Sequence, residues 1–349
     1  MSAHREFPAT GEAPKIICLT PIRNEAWILE TFLKCASVWA DHIIIADQMS
    51  DDGSREIAAR FDKVILVDND SQTFNEPERV QLLLREARKF SGRKILVALD
   101  ADEILVGDLS ALHGPAYAAL ADGTRIAFDW VNVHPSCNKY WNSNPPMQWG
   151  FVDDGSPCEG KVIHSARLPG PNDTPMHHAS EMKVLHLQYV DWERMRSKHR
   201  WYCCFERLQF PRKTGIGIYR MYHHMDAIPE SAFRPVEESD LLDYRRIGVD
   251  PFAHRKEETY RWDREVLQML GQHGAKRFRD VDIWSVDWMS RAGGDPAFAD
   301  PRGLLLKLLE RYLKATQLRC KTFFVRTLDK FLKVLFRPPI AVVPTEVDQ

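Results

Sequence analysis

Short apolar runs alternate with longer mixed segments over the N-terminal third of the chain. The runs cover residues 15–20, 42–47, 64–67 and 95–99. The segments between them carry apolar side chains at helical spacing, over residues 26–40, 55–61 and 76–90. Runs of this length bounded by polar turns are typical of buried strands, and the spacing between them predicts amphipathic helices. Strands that alternate with helices at short intervals indicate right-handed crossovers. We therefore expect an α/β fold with a mainly parallel sheet flanked by helices.

Polar residues follow three of the predicted strands at the point where each strand ends. Residues 20–21 close the first strand, Asp47 closes the second, and residues 100–102 follow the fourth. In open parallel sheets, ligands bind outside the carboxyl ends of the strands. We therefore expect these three positions to share one cleft.

Two carboxylates, Asp100 and Asp102, flank Ala101 in the turn after the fourth strand. Carboxylate oxygens are the ligands that Mg²⁺ and Mn²⁺ prefer, and such an ion bridges the oxygens of a diphosphate. Acidic turns after strands are also common as ordinary solvated turns. The turn alone leaves both interpretations open, so the neighbouring loops have to decide between them.

Three segments, in this order along the chain, resemble motifs of the family 2 glycosyltransferases, which have the GT-A nucleotide-diphospho-sugar fold. Residues 20–25, TPIRNE, are similar to the family's Pro-x-x-Asn-Glu loop, and residues 46–54, ADQMSDDGS, to its Asp-Asp-Gly-Ser-x-Asp-Gly loop. Residues 99–102, LDAD, are similar to its Asp-x-Asp motif. Three ordered motifs are much more specific than any one of them alone.

The resemblance implies a binding site for a nucleotide-diphospho-sugar. Its implied lining is Pro21, Arg23, Asn24, Glu25, Asp47, Asp100 and Ala101. Asp47 is then expected to hydrogen-bond the nucleotide base, Asp102 to bind the metal ion, and Asp100 to lie close to the ribose and diphosphate. Gln48 and Met49 stand where the family usually has Asp-Gly. The identity of the base is therefore left open.

A histidine, His186, lies in the strand-like run of residues 184–189. A histidine in an apolar strand is typically a buried core residue whose polar atoms are satisfied. The resemblance gives a second interpretation, because many GT-A enzymes carry a histidine after the acceptor segment that completes the metal shell. Neutral imidazole is an acceptable ligand for Mn²⁺. Both interpretations of His186 stay open at this point.

The expected chemistry needs one carboxylate to take the proton of the acceptor hydroxyl. The family's usual Glu-Asp pair at the head of a helix is not visible, so the candidates are Asp153, Asp154 and Glu159. Glu159 is favoured over Asp154 because it lies beside a predicted strand at residues 161–165. Three tryptophans, Trp130, Trp141 and Trp149, are candidates for contact with an acceptor sugar or are ordinary core aromatics.

Composition narrows the class of protein further. The 349 residues carry a formal net charge of −2, which argues against a general nucleic-acid-binding surface. The 7 cysteines have no paired metal spacing, and a reducing compartment is the simpler inference. Residues 1–14 are a polar tail without a signal-peptide pattern, and no run of about 18 apolar residues occurs. We therefore expect a cytoplasmic protein.

The C-terminal region differs in character from the rest. From residue 301, leucines and phenylalanines recur at helical spacing among many lysines and arginines, with Glu310 and Asp329 as the acids up to Arg337. Such basic amphipathic helices either pack on the preceding domain or lie on an anionic membrane surface, here the inner face of the membrane. Packing is the simpler expectation, and membrane contact would suit a lipid-linked acceptor.

Taken together, the sequence predicts a GT-A domain over 15–220, with a nucleotide-sugar half at 15–123 and an acceptor half at 124–220, followed by a helical extension at 221–349. The expected activity is metal-dependent, inverting transfer of a sugar to a glycan or glycolipid hydroxyl, as in polysaccharide biosynthesis. The alternatives are a non-catalytic glycan-binding or scaffold protein and a nucleotidyltransferase. The last would need a glycine-rich signature near the first strand, and residues 20–25 contain no glycine.

Overall fold

A computed structural model gives the fold. It describes residues 13–71, 76–142, 145–157, 167–168 and 174–337. The chain divides into two compact units. The first unit takes in residues up to Asp191 and then 233–256, and the second takes in 192–232 and the chain from Glu257 onward.

The strands belong to one sheet in the first unit. In chain order they are β1 (Lys15–Ile22), β2 (His42–Asp47), β3 (Val64–Asp68), β4 (Lys94–Ala98), β5 (Glu103–Gly107), β6 (Arg125–Val133), β7 (Lys139–Asn142), β8 (Met147–Val152), β9 (Met176–His186) and β10 (Arg234–Pro235). The α-helices are α1 (Leu29–Trp39), α2 (Ser54–Ala58), α3 (Glu76–Ala87), α4 (Pro115–Ala118), α5 (Trp192–Gln209), α6 (Gly215–Tyr222), α7 (Leu242–Arg246), α8 (Arg261–His273), α9 (Trp288–Arg291), α10 (Leu304–Thr316) and α11 (Phe323–Leu335).

The order of the sheet confirms the expected α/β class. Its first four strands run parallel, as the alternation of strands and helices predicted, and they lie in the order β3-β2-β1-β4. Beyond β4 the sheet is mixed, because β8 runs antiparallel to both β4 and β6. Strand β9 runs parallel to β6, and β5 pairs antiparallel with β9.

Alternation of side chains along the parallel strands builds a core on each face of the sheet. On β1, Ile16 and Cys18 join one apolar cluster, while Ile17 and Leu19 join the other. Helix α1 covers the first face and helix α3 covers the second. Strands that are buried on both faces have continuous apolar sequences, and these runs could therefore be recognised as strands.

Strand direction decides which loops can meet at one edge. The carboxyl ends of β1 to β4 lie together, and β6 and β9 run in the same sense, so they end at this edge as well. Strand β5 begins there, since the turn after β4 leads directly into it. Strand β8 runs the opposite way and ends at the far edge. We call the edge at which β1 to β4 end the carboxyl edge.

The predicted domain boundary at residue 220 differs from the division in the structure. The chain leaves the first unit at Asp191 and returns to it over 233–256. The returning segment adds β10 beside β7, and the buried Tyr244 hydroxyl donates a hydrogen bond to the carbonyl of Leu105. These long-range contacts cannot be read from local sequence patterns.

The second unit is helical, as the sequence predicted for the C-terminal region. Helices α5, α6 and α8 surround an apolar cluster that includes Cys203, Cys204 and Phe278. On α5, Arg200 makes a two-pronged, buried ion pair with Asp263 of α8, with both bonds at 2.9 Å. Within the described chain, no helix combines the length and apolar character needed to cross a membrane.

Candidate functional site

The two loops that follow β1 and β2 are held together by hydrogen bonds. Asn24 has a positive φ of 59° and its backbone N–H donates to Ser50 Oγ at 2.8 Å. Its side-chain oxygen accepts from the backbone N–H of Asp51 at 2.9 Å. The backbone N–H of Glu25 donates to Ser54 Oγ at 2.9 Å. Two of the three predicted motif segments therefore form one structure beside the carboxyl edge.

Other residues of the first loop have distinct environments. Pro21 lies within β1, opposite Ala46 of β2. Arg23 is exposed. The Glu25 carboxylate accepts a hydrogen bond from the indole N–H of Trp27 at 2.7 Å. The loop thus exposes the Arg23 side chain to solvent, while the Glu25 carboxylate contacts the buried Trp27.

Asp47, at the end of β2, has a fully buried carboxylate, and only one of its two oxygens accepts hydrogen bonds from the described residues. Its Oδ2 accepts from the Arg55 guanidinium at 2.7 Å and from the backbone N–H of Ser50 at 3.3 Å. Arg55 also binds Asp68 at 2.7 Å, and the hydrogen bonds that it donates to the two carboxylates raise the pKa of Arg55. Asp47 Oδ1 is buried and accepts no hydrogen bond from the described residues. A buried acceptor without a donor is costly, and the imide or amino N–H of a nucleotide base is a group that would satisfy it.

A tight turn orders the predicted Asp-x-Asp segment. The backbone N–H of Glu103 donates to the carbonyl of Asp100 at 3.0 Å, and the N–H of Asp100 donates to Glu103 Oε2 at 2.8 Å. The Arg167 guanidinium binds Asp100 and lies 2.9 Å from Glu103 Oε1. Burial raises the pKa of Glu103, although Arg167 partly opposes this shift. Ala101 is buried and belongs to the apolar cluster on the α1 face of the sheet.

The second carboxylate of this turn, Asp102, faces His186. In the pairing of β5 with β9, Glu103 lies opposite His186, and the backbone N–H of Leu187 donates to the Asp102 carbonyl at 2.7 Å. Asp102 Oδ2 is consequently 3.6 Å from His186 Nε2. The structure therefore brings together two residues that the sequence named separately as metal ligands.

Polar and aromatic neighbours hold the His186 ring. Its Nδ1 lies 3.1 Å from Asn132 Oδ1 and 3.1 Å from Gln188 Nε2. The Trp130 ring stacks on the imidazole with a centroid distance of 4.8 Å. When Nδ1–H donates to Asn132, the lone pair of Nε2 is directed away from that bond and is available to a cation. Asn132 lies in an apolar strand pattern, and no local pattern marks it as a contact of His186.

The side chains of Asp102 and His186 supply the kinds of atom that bind a divalent cation. Among the residues that the structure describes, no three or more His, Cys, Asp or Glu side chains are grouped so as to hold a metal ion. A carboxylate and an imidazole 3.6 Å apart can still bind one ion together. Mg²⁺ in phosphate sites commonly takes only one or two protein ligands and completes its shell with substrate phosphates and water. Asp102 and His186 fit that kind of site.

The base-binding candidate and the carboxylate turn lie at the same edge. Asp47 ends β2, and Asp100 follows β4, with β1 between these strands. Neighbouring strands are about 4.8 Å apart, so the two strand ends are separated by about 10 Å. That distance suits a ligand with a base at one end and a diphosphate at the other.

Of the predicted catalytic bases, Asp154 lies away from this edge. Asp154 follows β8, which ends at the far edge, where the neighbouring Asp153 N–H donates to the carbonyl of Lys94 at 2.9 Å. Strand β4 has 5 residues and so spans about 16 Å between the edges. Asp154 is exposed and binds the Ser156 N–H and hydroxyl. Asp154 therefore lies apart from the Asp102–His186 pair, and Glu159 lies outside the described residues.

The candidate sugar-contacting tryptophans divide into core and site residues. Trp141 and Trp149 are 3% and 1% exposed, so their rings belong to the core. Trp130 is only partly buried and stacks on His186. Of the three, Trp130 is the ring next to the Asp102–His186 pair.

A separate polar cluster lies in the second unit. His223 Nε2 is 2.8 Å from Asp282 Oδ2, and its Nδ1 is 3.0 Å from the carbonyl of Tyr219. Burial raises the pKa of Asp282, but the hydrogen bond and charge of His223 outweigh it and leave the pKa below its usual value. The pair lines a cavity of 360 Å³ that His199 of α5 also borders.

Comparison with known proteins adds similarity to solved structures. No family model matches the sequence, and no curated protein is similar to it in sequence. Glucosyl-3-phosphoglycerate synthase from Mycobacterium tuberculosis, solved with Mg²⁺ and uridine diphosphate, is 19% identical, with a TM-score of 0.27 over 35% of this chain and 45% of its own. 4-Diphosphocytidyl-2C-methyl-D-erythritol synthase is 11% identical, with a TM-score of 0.25 over 46% of this chain and 74% of its own. HddC from Yersinia pseudotuberculosis is 7% identical, with a TM-score of 0.29 over 50% of this chain and 93% of its own.

These similarities are weak. The alignment spans less than half of the mycobacterial synthase. TM-scores between 0.25 and 0.29 carry no argument about the activity of this chain. Its function has to be argued from its own residues.

Proposed function

We propose that this protein is a metal-dependent transferase that takes a sugar from a nucleotide-diphospho-sugar. The observation that carries the proposal is the pairing of Asp102 with His186, 3.6 Å apart, at the same sheet edge as the buried Asp47. Asp47 has one carboxylate oxygen without a donor among the described residues. A base acceptor and a cation site about two strands apart match the base and the diphosphate of a nucleotide-diphospho-sugar.

Each residue has a defined role in the proposal. Asp47 accepts a hydrogen bond from the base, while Arg55 neutralises its other oxygen. Asp102 and His186 hold the divalent cation, which supplies positive charge to the leaving diphosphate when it is bound. Asp100 lies beside the ribose and diphosphate, where Arg167 adds a second positive charge. Asn132 and Trp130 fix the imidazole.

The acceptor in this proposal is a hydroxyl of a glycan or glycolipid, and transfer inverts the anomeric centre by direct displacement. The acceptor proton needs a carboxylate base. We keep Glu159 for that role, since Asp154 lies at the far edge of the sheet. Trp130 is the aromatic side chain that would contact the acceptor sugar.

A ligand screen followed by product analysis tests the proposal. Nucleotide sugars are screened for thermal stabilisation with Mn²⁺, with Mg²⁺ and with chelator, since a ligand at 100 times its dissociation constant adds about 2.7 kcal/mol. The stabilising donor is then incubated with the protein, and products are separated by chromatography. We expect metal-dependent release of a nucleoside diphosphate. Release of pyrophosphate from a nucleoside triphosphate and a sugar phosphate would indicate nucleotidyl transfer. Stabilisation without turnover of any donor would indicate a binding protein.

A further inference from the structure

Helix α11 exposes large apolar side chains to solvent. Phe323, Phe324 and Phe331 are 86%, 74% and 66% exposed, and Val334 and Leu335 are 77% and 66% exposed. At 3.6 residues per turn these five positions fall on one broad side of the helix. Scattered exposed apolar residues are normal, but a contiguous side with three phenylalanines marks an interaction surface.

The opposite side of α11 fixes its orientation. Val325 and Asp329 are buried, and Leu332 packs on the apolar cluster that α6 and α10 share. Asp329 accepts two hydrogen bonds from the Arg220 guanidinium, at 2.9 and 3.0 Å, and one from the Tyr312 hydroxyl at 2.9 Å. A buried ion pair of this kind is costly to break. The helix is therefore packed on the second unit with its phenylalanine side outward.

A third side of α11 is basic. Arg326, Lys330 and Lys333 recur at spacings of three or four residues beside the apolar side, and Arg337 follows just after the helix ends. None of these four makes an ion pair within the described part of the chain. From Arg319 to Arg337 the sequence has 6 lysines and arginines against one acid, Asp329, whose charge is already paired with Arg220. This stretch therefore carries uncompensated positive charge.

We propose that α11 binds the surface of an anionic lipid bilayer. The phenylalanine side would enter the boundary between headgroups and acyl chains, and the basic side would contact lipid phosphates. Exposed Leu304, Leu305 and Leu308 on α10, at 73%, 71% and 47%, give the same unit a further apolar surface. The packing expected of the C-terminal helices is seen on one side of α11, and the proposed membrane contact uses another side.

The positive charge of α11 favours an anionic bilayer over a second copy of the chain as its binding partner. Two copies of α11 placed face to face would bring their unpaired cations together, and like charges at a close interface are unfavourable. A bilayer containing anionic lipid supplies an apolar layer and negative charge in the same arrangement as the helix. The proposal does not rest on sugar transfer, because it concerns only residues of the second unit.

Vesicle co-sedimentation of the full chain tests the proposal. The probes are vesicles of phosphatidylcholine alone and of phosphatidylcholine with phosphatidylglycerol, at low and high salt. We expect binding to the anionic vesicles that weakens as salt rises. The variant F323S/F324S/F331S should lose binding, by roughly tenfold or more for each phenylalanine. R326E/K330E should weaken it by roughly fivefold per removed cation.

Matched controls separate the surface from general effects. Phe210→Ser changes another exposed phenylalanine of the second unit, 56% exposed, and K276E/R279E reverses two exposed cations elsewhere in that unit. Both should bind vesicles as the parent does. Thermal unfolding checks the fold of each variant. If the triple variant fails to fold, Phe323→Ser alone should still bind about tenfold more weakly.

Three outcomes would overturn the proposal. The parent protein could ignore anionic vesicles at low salt. The phenylalanine variants could bind as tightly as the parent while R326E/K330E does not, which would indicate a site for polyanions. Light scattering could show that the phenylalanine variants convert an oligomer into a monomer, which would indicate a second copy of the chain. Nucleotide-sugar binding, measured on the same variants, should be unchanged and so reports separately on the proposed function.

Discussion

Asp102 and His186 are 84 positions apart in the sequence and 3.6 Å apart in the structure. The antiparallel pairing of β5 with β9 produces this contact, because Glu103 lies directly opposite His186. A strand pair is a rigid support, and a site built on it holds its geometry better than one built on two loops. The pair therefore supports a cation site at the carboxyl edge.

A first prediction concerns the side chain that orients His186. If Nδ1–H donates to Asn132, then Asn132→Ala should weaken Mn²⁺ binding by about 10- to 100-fold, because the ring loses its fixed orientation. Asn132→Asp keeps an acceptor oxygen and should retain most of the affinity. Calorimetric titration with Mn²⁺ measures both.

Gln188→Ala is the matched control, since Gln188 Nε2 lies at the same 3.1 Å from Nδ1. It should change Mn²⁺ affinity little. A large loss in Gln188→Ala with none in Asn132→Ala would show that the glutamine, and not the asparagine, determines the tautomer.

A second prediction concerns Asp47. Asp47→Asn keeps the shape of the side chain but removes its charge, and it should weaken nucleoside diphosphate binding by roughly 1.5–3 kcal/mol, the range for a hydrogen bond to a charged group. Fluorescence or calorimetric titration with the free nucleotide measures the change. Asp68→Asn removes the other partner of Arg55, which is exposed, and should leave the affinity near that of the parent. Equal nucleotide affinity in Asp47→Asn and the parent would exclude Asp47 as the base contact.

A third prediction concerns stability in acid. Burial, together with the positive charge of His223 and neighbouring side chains, lowers the pKa of His199 to about 3. The unfolded chain binds a proton at His199 below about pH 6.5, whereas the folded chain does not until about pH 3. Stability therefore falls as pH drops from 6.5, and His199 alone should account for about 2 kcal/mol at pH 5.

Urea unfolding of the parent and His199→Gln between pH 7 and 5 measures this contribution. The variant should lose about 2 kcal/mol less than the parent over that range. His273→Gln, at an exposed histidine of the same unit, should follow the parent. Parallel pH dependence in the parent and His199→Gln would contradict the assignment.

Local patterns predicted the fold where burial is two-sided. The runs that became β1, β2 and β4 are apolar because both faces of these strands are covered, so their positions and parallel direction could be predicted from the sequence. Strand β3, at the end of the strand order, is only half-buried but was located by the same apolar pattern. Strand β5 was not predicted, because it follows β4 after a single turn and merges with its apolar run. The helical C-terminal region was predicted from its spacing, while the return of 233–256 to the first unit was not.

The sequence allowed prediction only of those site residues that lie at the ends of strands. Asp47, Asp100 and Asp102 follow apolar runs, and direction along the chain assigns them to one edge. Asp154 was misplaced because the antiparallel course of β8, which sends its end to the far edge, depends on long-range pairing. Arg55 and Arg167 were missed, since an arginine in a helix or loop has no spacing signal that marks its carboxylate partner.

The most direct test of the central claim is a titration of the parent and Asp102→Asn with the stabilising nucleotide sugar, with and without Mn²⁺. The substitution keeps the side chain's size but removes the charged oxygen ligand. We expect the parent to bind the donor far more tightly with metal, and Asp102→Asn to show equal, weak affinity in both conditions with an unchanged unfolding temperature. Unchanged metal-dependent affinity in Asp102→Asn would contradict the account.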